Sequence, residues 1–318
     1  MANIARPAAL AALLAAACCL PLVLQNYQLF QATMVLVYAV ALLGLNLLTG
    51  YNGQISLGHG AFYAIGAYAA AIFMERFGIP YWLTVPMAGL LCLAVGFLFG
   101  LPALRLEGLY LALATFALGM ALPQLLKYKH LEAWTGGSGG LVLMKPEAPW
   151  GLPLNPDQWL YLFALAVTVL MFVIARNLLR GNVGRAMRAI RDHALAAETM
   201  GINNAMVKSL TFAVSAMYTG VAGALGAIAV QFVAPESFTI FLSITLLVGV
   251  VVGGLASISG AIYGALFIQF IPNIAEKISK AAPWAIYGVI LIVLMFLMPT
   301  GVAGAIRAAR VRLGSNNS

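Results

Sequence analysis

With 318 residues, 63% of them hydrophobic and 8% charged, this chain holds too little charge to cover a soluble surface, because soluble domains carry about a quarter of their residues as charges. It reads as an integral membrane protein. The net charge of +8 comes without a basic patch interleaved with aromatics, which argues against nucleic acid as a partner, and in a membrane chain excess Lys and Arg mark the cytoplasmic loops.

A helix needs about 20 mostly apolar residues to cross a bilayer, so spans are sought between charges. Charge-free runs cover 7–74, 77–104, 108–126, 158–175, 209–235, 237–275 and 281–306. The first has room for three spans and 237–275 for two, giving about ten in a single domain, 1–318. They are expected at 8–24, 29–49, 56–74, 81–101, 107–126, 158–176, 208–230, 238–256, 259–275 and 283–300. The run 8–24 follows Arg6 as a signal peptide would, but it exceeds the usual apolar core of about 7–15 residues and reads as a retained span. Cys18, Cys19 and Cys92 lie in apolar runs without metal-ligand spacing and read as packing residues.

Between spans two and three stands "GYNGQISLGHGAFYAIGAY" (50–68). Asn52, Gln54, Ser56 and His59 are neutral hydrogen-bonding groups, with Gly53 among them. Irregular backbone at membrane depth is tolerated only when buried in protein or lining a water-filled cavity. Two readings stand. The glycines pack span two against span three at the cytoplasmic edge, or the stretch lines a translocation pathway. "GGLASIS" (253–259) echoes "GQIS" (53–56), with Ser257 falling where Ser56 falls. Paired glycine-rich interruptions suit a transport pathway, so Gly254 and Ser257 join the pathway set. His59 reads as a helix-end hydrogen-bonder rather than a proton carrier.

Two loops are long. The outer one, 127–157, is rich in Trp, Pro and Gly and reads as a membrane-surface cap. The inner one, 177–207, is the most charged segment of the chain. From 185 to 200 it contains good helix formers and no breaker, with Gly201 as the stop. Arg188 and Asp192 stand four apart and are expected to pair. Ala189, His193, Ala196 and Met200 line a shallow second face. The helix is either an ordinary one at the lipid headgroups or a docking helix for a cytoplasmic partner.

The order "GRAMRAIRDHALAAETMGI" (184–202) resembles the cytoplasmic loop of bacterial ABC importer permeases, whose Glu-Ala-Ala-x-x-x-Gly motif meets the ATPase subunit. Aligned on Gly201, that motif falls on Leu195, Ala196, Ala197 and Gly201, so its first residue is Leu here. The resemblance is closest to the branched-chain amino acid permeases. It extends through "GYNGQISLGHGAFYAIGAY", "RLEGLYLALATFALG" (105–119), "TGGSGGL" (135–141), "FVAPESF" (232–238), "VGGLASISGAIYGA" (252–265) and "MPTGVAGAI" (298–306). These motifs look like the larger of the two permease types in such a system.

The resemblance implies an all-α membrane fold similar to vitamin B12-type importers. It also implies a second permease subunit, two cytoplasmic ATPase subunits and a periplasmic binding protein as partners, in a bacterial inner membrane. Its ATPase contact would fall on Arg185, Arg188, Asp192, Ala196, Ala197, Glu198 and Gly201. The substrates would be Leu, Ile and Val, although permeases for urea, short amides and aromatic acids are similar. With both termini cytoplasmic, eleven Lys and Arg lie inside and six outside, as orientation by positive charge requires.

Other classes fit less well. No Gly-Lys-Ser/Thr element is present, so a phosphate loop is missing; ATP would be used by the partner subunits, and no cofactor is expected on this chain. An ion-coupled secondary transporter would carry acidic or His relays within its spans, whereas every Asp and Glu here falls at a span end or in a loop. A membrane enzyme would need paired carboxylates, a metal cluster or a Ser-His-Asp order, and none occurs at membrane depth.

Overall fold

A computed structural model of the chain describes residues 14–103, 106, 108–149, 153–278 and 283–315. Among these, α1 is Leu14–Val23 and α2 is Asn26–Asn46, extended by a π turn over Leu47–Tyr51. Then come α3 (His59–Phe77), α4 (Tyr81–Ala103) and α5 (Leu109–Leu126). The outer segment adds the short α6 (Glu132–Thr135) and strand β1 (Leu141–Val142). Helices α7 (Pro156–Arg180), α8 (Asn182–Thr199) and α9 (Asn204–Val230) follow, then β2 (Phe232–Val233) and a 3₁₀ turn over Pro235–Phe238. The chain closes with α10 (Ile240–Gly253), α11 (Ile258–Ile278), α12 (Pro283–Leu297) and α13 (Gly301–Ser315).

Among the described residues, seven segments are long and apolar enough to cross a membrane: Asn26–Tyr51, Tyr81–Leu101, Leu109–Leu126, Pro156–Arg180, Asn204–Val230, Ile258–Lys277 and Gly288–Ala309. The other three expected spans differ for separate reasons. Residues 8–13 lie outside the described part, which leaves Leu14–Val23. The expected 238–256 is cut short, because α10 ends at Gly253 after 14 residues. Helix α3 has 19 residues but is built from Ala, Gly, Tyr and a His. Its low hydropathy is tolerated because residues 59–64 and 66–71 are buried by other helices, so lipid need not solvate them.

The core is a packed set of α2, α3, α4 and α9, flanked by α7, α10 and α11. In lipid no hydrophobic force separates helix–helix from helix–lipid contact, so small residues that allow backbone approach decide the packing. Helix α9 follows that rule, burying Ala, Gly, Ser and Thr along most of its length. A Cβ placed on Gly66 would lie 2.1 Å from the Gly220 carbonyl oxygen, and one on Gly223 would lie 2.0 Å from that of Tyr63. Thus α3 and α9 touch backbone to backbone.

The two ends of the bundle are tied separately. At one end Lys127 pairs with Glu236 at 2.7 Å, and that bond holds the exposed Glu236 carboxyl below its usual range. There the Arg76 guanidinium donates to the Ala133 carbonyl, and β1 pairs antiparallel with β2, Leu141 opposite Val233. The loop expected at 127–157 therefore carries a strand that binds it to 231–238 and a short helix held by Arg76 of α3. At the other end meet 46–59, α8, the start of α9, 254–258 and the start of α13.

Candidate functional site

The unusual stretch is a break between two helices, sealed by hydroxyls from three neighbouring helices and by its own Ser56. A helix start leaves amides without intrahelical partners. The Gly60 amide donates to Ser243 Oγ of α10 at 2.9 Å. The Leu57 amide donates to Thr115 Oγ1 of α5 at 3.0 Å, and that of Gly58 to Ser56 Oγ at 3.3 Å. His59 is 1% exposed and sits in a directed chain. Ser215 Oγ donates to the Gly44 carbonyl at 2.6 Å. Its lone pair therefore accepts from His59 Nε2–H at 2.7 Å. His59 Nδ1 is then left to accept from Ser56 Oγ at 2.9 Å. A neutral imidazole with its proton on Nε2 satisfies every member, and the ring acts as a strut between α2, α3 and α9.

The two glycine-rich motifs meet in space. The buried Asn46 donates from Nδ2 to the Ser257 carbonyl at 2.8 Å and accepts from the Ala256 amide on Oδ1 at 2.9 Å. Gly50 packs there too, since a Cβ on it would lie 2.4 Å from the Ala256 nitrogen. Gly254 lies against Thr300 and Ala303, and Ser257 Oγ is 3.2 Å from Ser259 Oγ. Gln54 Nε2 donates to the Lys208 carbonyl at 3.3 Å. Asn52 differs from all of these. It is 2% exposed, and neither its Nδ2 nor its Oδ1 has a partner among the described residues. Two clefts of about 240 and 220 Å³ lie along α10–α12–α13 and α11–α13, and neither is lined by residues 50–60.

Replacing Asn46 by Leu tests this clamp. The substitution strands the Ala256 amide and the Ser257 carbonyl, at about 1–3 kcal/mol for each buried group left unsatisfied. The expected result is a clearly lower thermal midpoint of the purified chain in detergent, with Asn46→Asp, which keeps the acceptor, intermediate.

The inner-loop helix departs from expectation in two ways. Helix α8 is not one rod: His193 takes an extended backbone (φ −158°, ψ 93°), dividing it into limbs 182–192 and 194–199. No residue type announces this corner. Tertiary contacts hold it: Gly184, Met187 and Ile190 seat the first limb and Ala197 the second, while Asn204 Nδ2 takes the Ala194 carbonyl at 2.8 Å. Nor does Arg188 pair with Asp192. The Asp192 carboxylate is taken by Arg191 at 2.8 Å, and Arg188 reaches the Leu179 carbonyl at 3.4 Å.

The stop at Gly201 has the expected geometry. Gly201 has φ +84°, its amide bonds to the Glu198 carbonyl at 2.9 Å, and the Ile202 amide bonds to that of Ala197 at 3.0 Å, a Schellman motif. Arg185, Arg188, Asp192, Ala196 and Glu198 are exposed, whereas Ala197 is 4% exposed and packs inward. The largest outward apolar side chains of the second limb and its cap are Leu195 (81% exposed) and Met200 (84%).

Several residues of this site were not picked out from the sequence. Asn46 carried a signal, an amide deep inside an apolar span. Thr115, Ser215 and Ser243 carried none, because scattered hydroxyls in separate helices show no pattern until those helices pack. Arg191 was hidden among its neighbouring arginines.

Seven long apolar helices among the described residues make this a multi-pass membrane protein. Residues 27–298 match the family model described as the permease component of the branched-chain amino acid transport system, and the chain belongs to that family. It is 33% identical over 315 residues to the high-affinity branched-chain amino acid transport system permease protein LivM of Escherichia coli (strain K12), covering 92% of this chain and 74% of that protein. Identity to the corresponding LivH protein of Salmonella typhimurium is 25% over 294 residues, covering 84% and 91%. BraD of Pseudomonas aeruginosa is likewise 25% identical over 287 residues, covering 84% and 91%. The chain is thus similar to LivM, the larger permease, over more of its length. No solved structure matches it.

Proposed function

We propose that this chain is the larger permease subunit of an ABC importer that moves leucine, isoleucine and valine into the cytoplasm. The observation that carries the reading is the similarity to LivM over 92% of the chain. The sequence has no Gly-Lys-Ser/Thr element, so two separate ATPase subunits bind and hydrolyse ATP, and this chain holds no cofactor. A second permease subunit completes the pathway and a periplasmic binding protein delivers the substrate. The chain sits in the bacterial inner membrane with about ten spans, as in vitamin B12-type importers, and with α8 and both termini in the cytoplasm.

No bond is made or broken by this chain; its work is a shift of population between two arrangements of helices. A partner shifts such an equilibrium only as far as its affinities for the two states differ. The ATPases act on the outward residues of α8: Arg185, Arg188, Asp192, Leu195, Ala196, Glu198 and Met200. Ala197 and Gly201 keep that surface in shape. On the membrane side, Gly53, Gln54, Ser56, His59, Gly254 and Ser257 hold the helix break together, and Asn52 is the polar side chain of this set left over for the pathway.

The test is uptake of labelled leucine in the source cells with and without this gene, against unlabelled valine, urea, acetamide and benzoate. Loss of uptake on deletion, with competition by valine alone, is expected. Competition by urea, acetamide or benzoate instead would move the substrate to that class.

A further inference from the structure

Arg191 is itself exposed on α8, yet its guanidinium reaches from there into the helix break. Its Nη1 donates to the Gly50 carbonyl at 3.1 Å. Its Nε and Nη2 reach Asp192 Oδ1 at 2.9 and 2.8 Å. Its aliphatic stem lies on Gly53, which has φ +75° and where a Cβ would come within 3.0 Å of Arg191 Cγ. The Gly50 carbonyl belongs to the last turn of the α2 π extension. The last carbonyls of a helix have no intrahelical amide to accept from, and a cation there also meets the negative end of the helix dipole. Arg191 is therefore a cap on α2 supplied by another helix. The π turn it caps is a rare geometry, found mostly as single turns and frequently at functional sites.

The position along α8 adds the second half. Arg191 and Asp192 are the last residues before the corner at His193. The limb before them is seated on the bundle, and the limb after them carries the exposed Leu195 and Met200. A displacement of the outer limb that turns about this corner has two links to the membrane part, the Arg191 guanidinium on the Gly50 carbonyl and the Asn204 bond from the start of α9 to the Ala194 carbonyl; only the first leads to the α2–α3 break.

We propose that Arg191 is the positioning residue that couples movement of α8 to the α2–α3 break. The inference rests on the reading of α8 as the ATPase-docking helix. Arg191 takes no part in docking itself: it holds the end of α2 to α8, so the helix break follows the docking helix.

The experiment uses the whole complex, with both permeases, both ATPases and the binding protein, reconstituted in vesicles. Labelled leucine uptake and ATP hydrolysis are read in the same preparation. In Arg191→Ala the ATPases are expected to copurify at the unchanged ratio and to hydrolyse ATP, while leucine moved per ATP falls by about tenfold, within the usual range of coupling free energies. Arg191→Lys should lose less, because an ammonium still reaches the Gly50 carbonyl but not also Asp192. Unchanged leucine per ATP in Arg191→Ala would overturn the proposal, as would loss of the ATPases together with transport, which would make Arg191 part of the docking surface. Should Arg191→Ala not fold, Gly53→Ala presses on the same stem and must lower the same ratio; a wild-type ratio there overturns the idea equally. If the unchanged complex carries no ATPase or moves no leucine, the functional reading fails instead.

Discussion

Gly66→Ala is expected to deplete folded protein sharply, although it adds one methyl group to a helix in a residue type that favours helices. The methyl carbon would sit 2.1 Å from the Gly220 carbonyl oxygen, well inside any permitted contact. Neither partner is a flexible side chain, so α3 and α9 must separate over the whole crossing. Overpacking a tight core costs about 1–3 kcal/mol when side chains give way, and more when backbone has to move. Gly223→Ala, aimed at the Tyr63 carbonyl from 2.0 Å, should behave alike. Gly288 in α12 is the control: nothing lies within 4 Å of a Cβ there. Gly288→Ala should be neutral or gain about 0.5–1 kcal/mol from the lost glycine freedom. Folded yield and thermal midpoint in detergent decide the matter. A Gly66→Ala chain as stable as Gly288→Ala would mean that α3 and α9 do not cross this closely.

The second large effect concerns docking. Leu195→Asp together with Met200→Asp should leave the permease folded in the membrane and remove its ATPases. Both side chains are more than four-fifths exposed, so nothing inside the chain depends on them. Burying two such side chains in a partner is worth about 1.5–3 kcal/mol each, and 1.4 kcal/mol is tenfold in affinity. Copurification of ATPase with the permease should therefore fall by about a hundredfold or more, and leucine uptake with it. Retention of the ATPases at the wild-type ratio would show that α8 does not dock through this limb. Ala197→Trp is a blunter probe, because Ala197 is buried and the change would unseat the limb before any partner met it.

Much of this molecule was legible because charge is so costly in lipid. Charge-free runs long enough to cross a bilayer marked α2, α4, α5, α7, α9 and α11 close to their observed limits, and glycine's access to positive φ marked the end of α8 at Gly201. Periodicity and charge act along one stretch of chain, and they read well there. What failed were inferences about which residue would meet which. Asp192 took the adjacent Arg191 rather than Arg188, because Arg191 was already held in place by the Gly50 carbonyl. The corner at His193 left no trace in residue type, since the seats of Met187, Ile190 and Ala197 impose it from outside the helix.

The glycine-rich stretch divides the two kinds of information most clearly. Its composition alone determined that it must be enclosed, because unpaired backbone groups are not tolerated in hydrocarbon. Composition did not determine what encloses it. Ser215, Ser243, Thr115 and Asn46 lie as far as 183 residues from the groups they satisfy in α3 and 211 from those in the 254–257 loop. Only packing of α2, α5, α9 and α10 brings them together. A hydrogen bond needs its partner within about 3 Å, and distances of that kind belong to the tertiary structure, not to the order of residues.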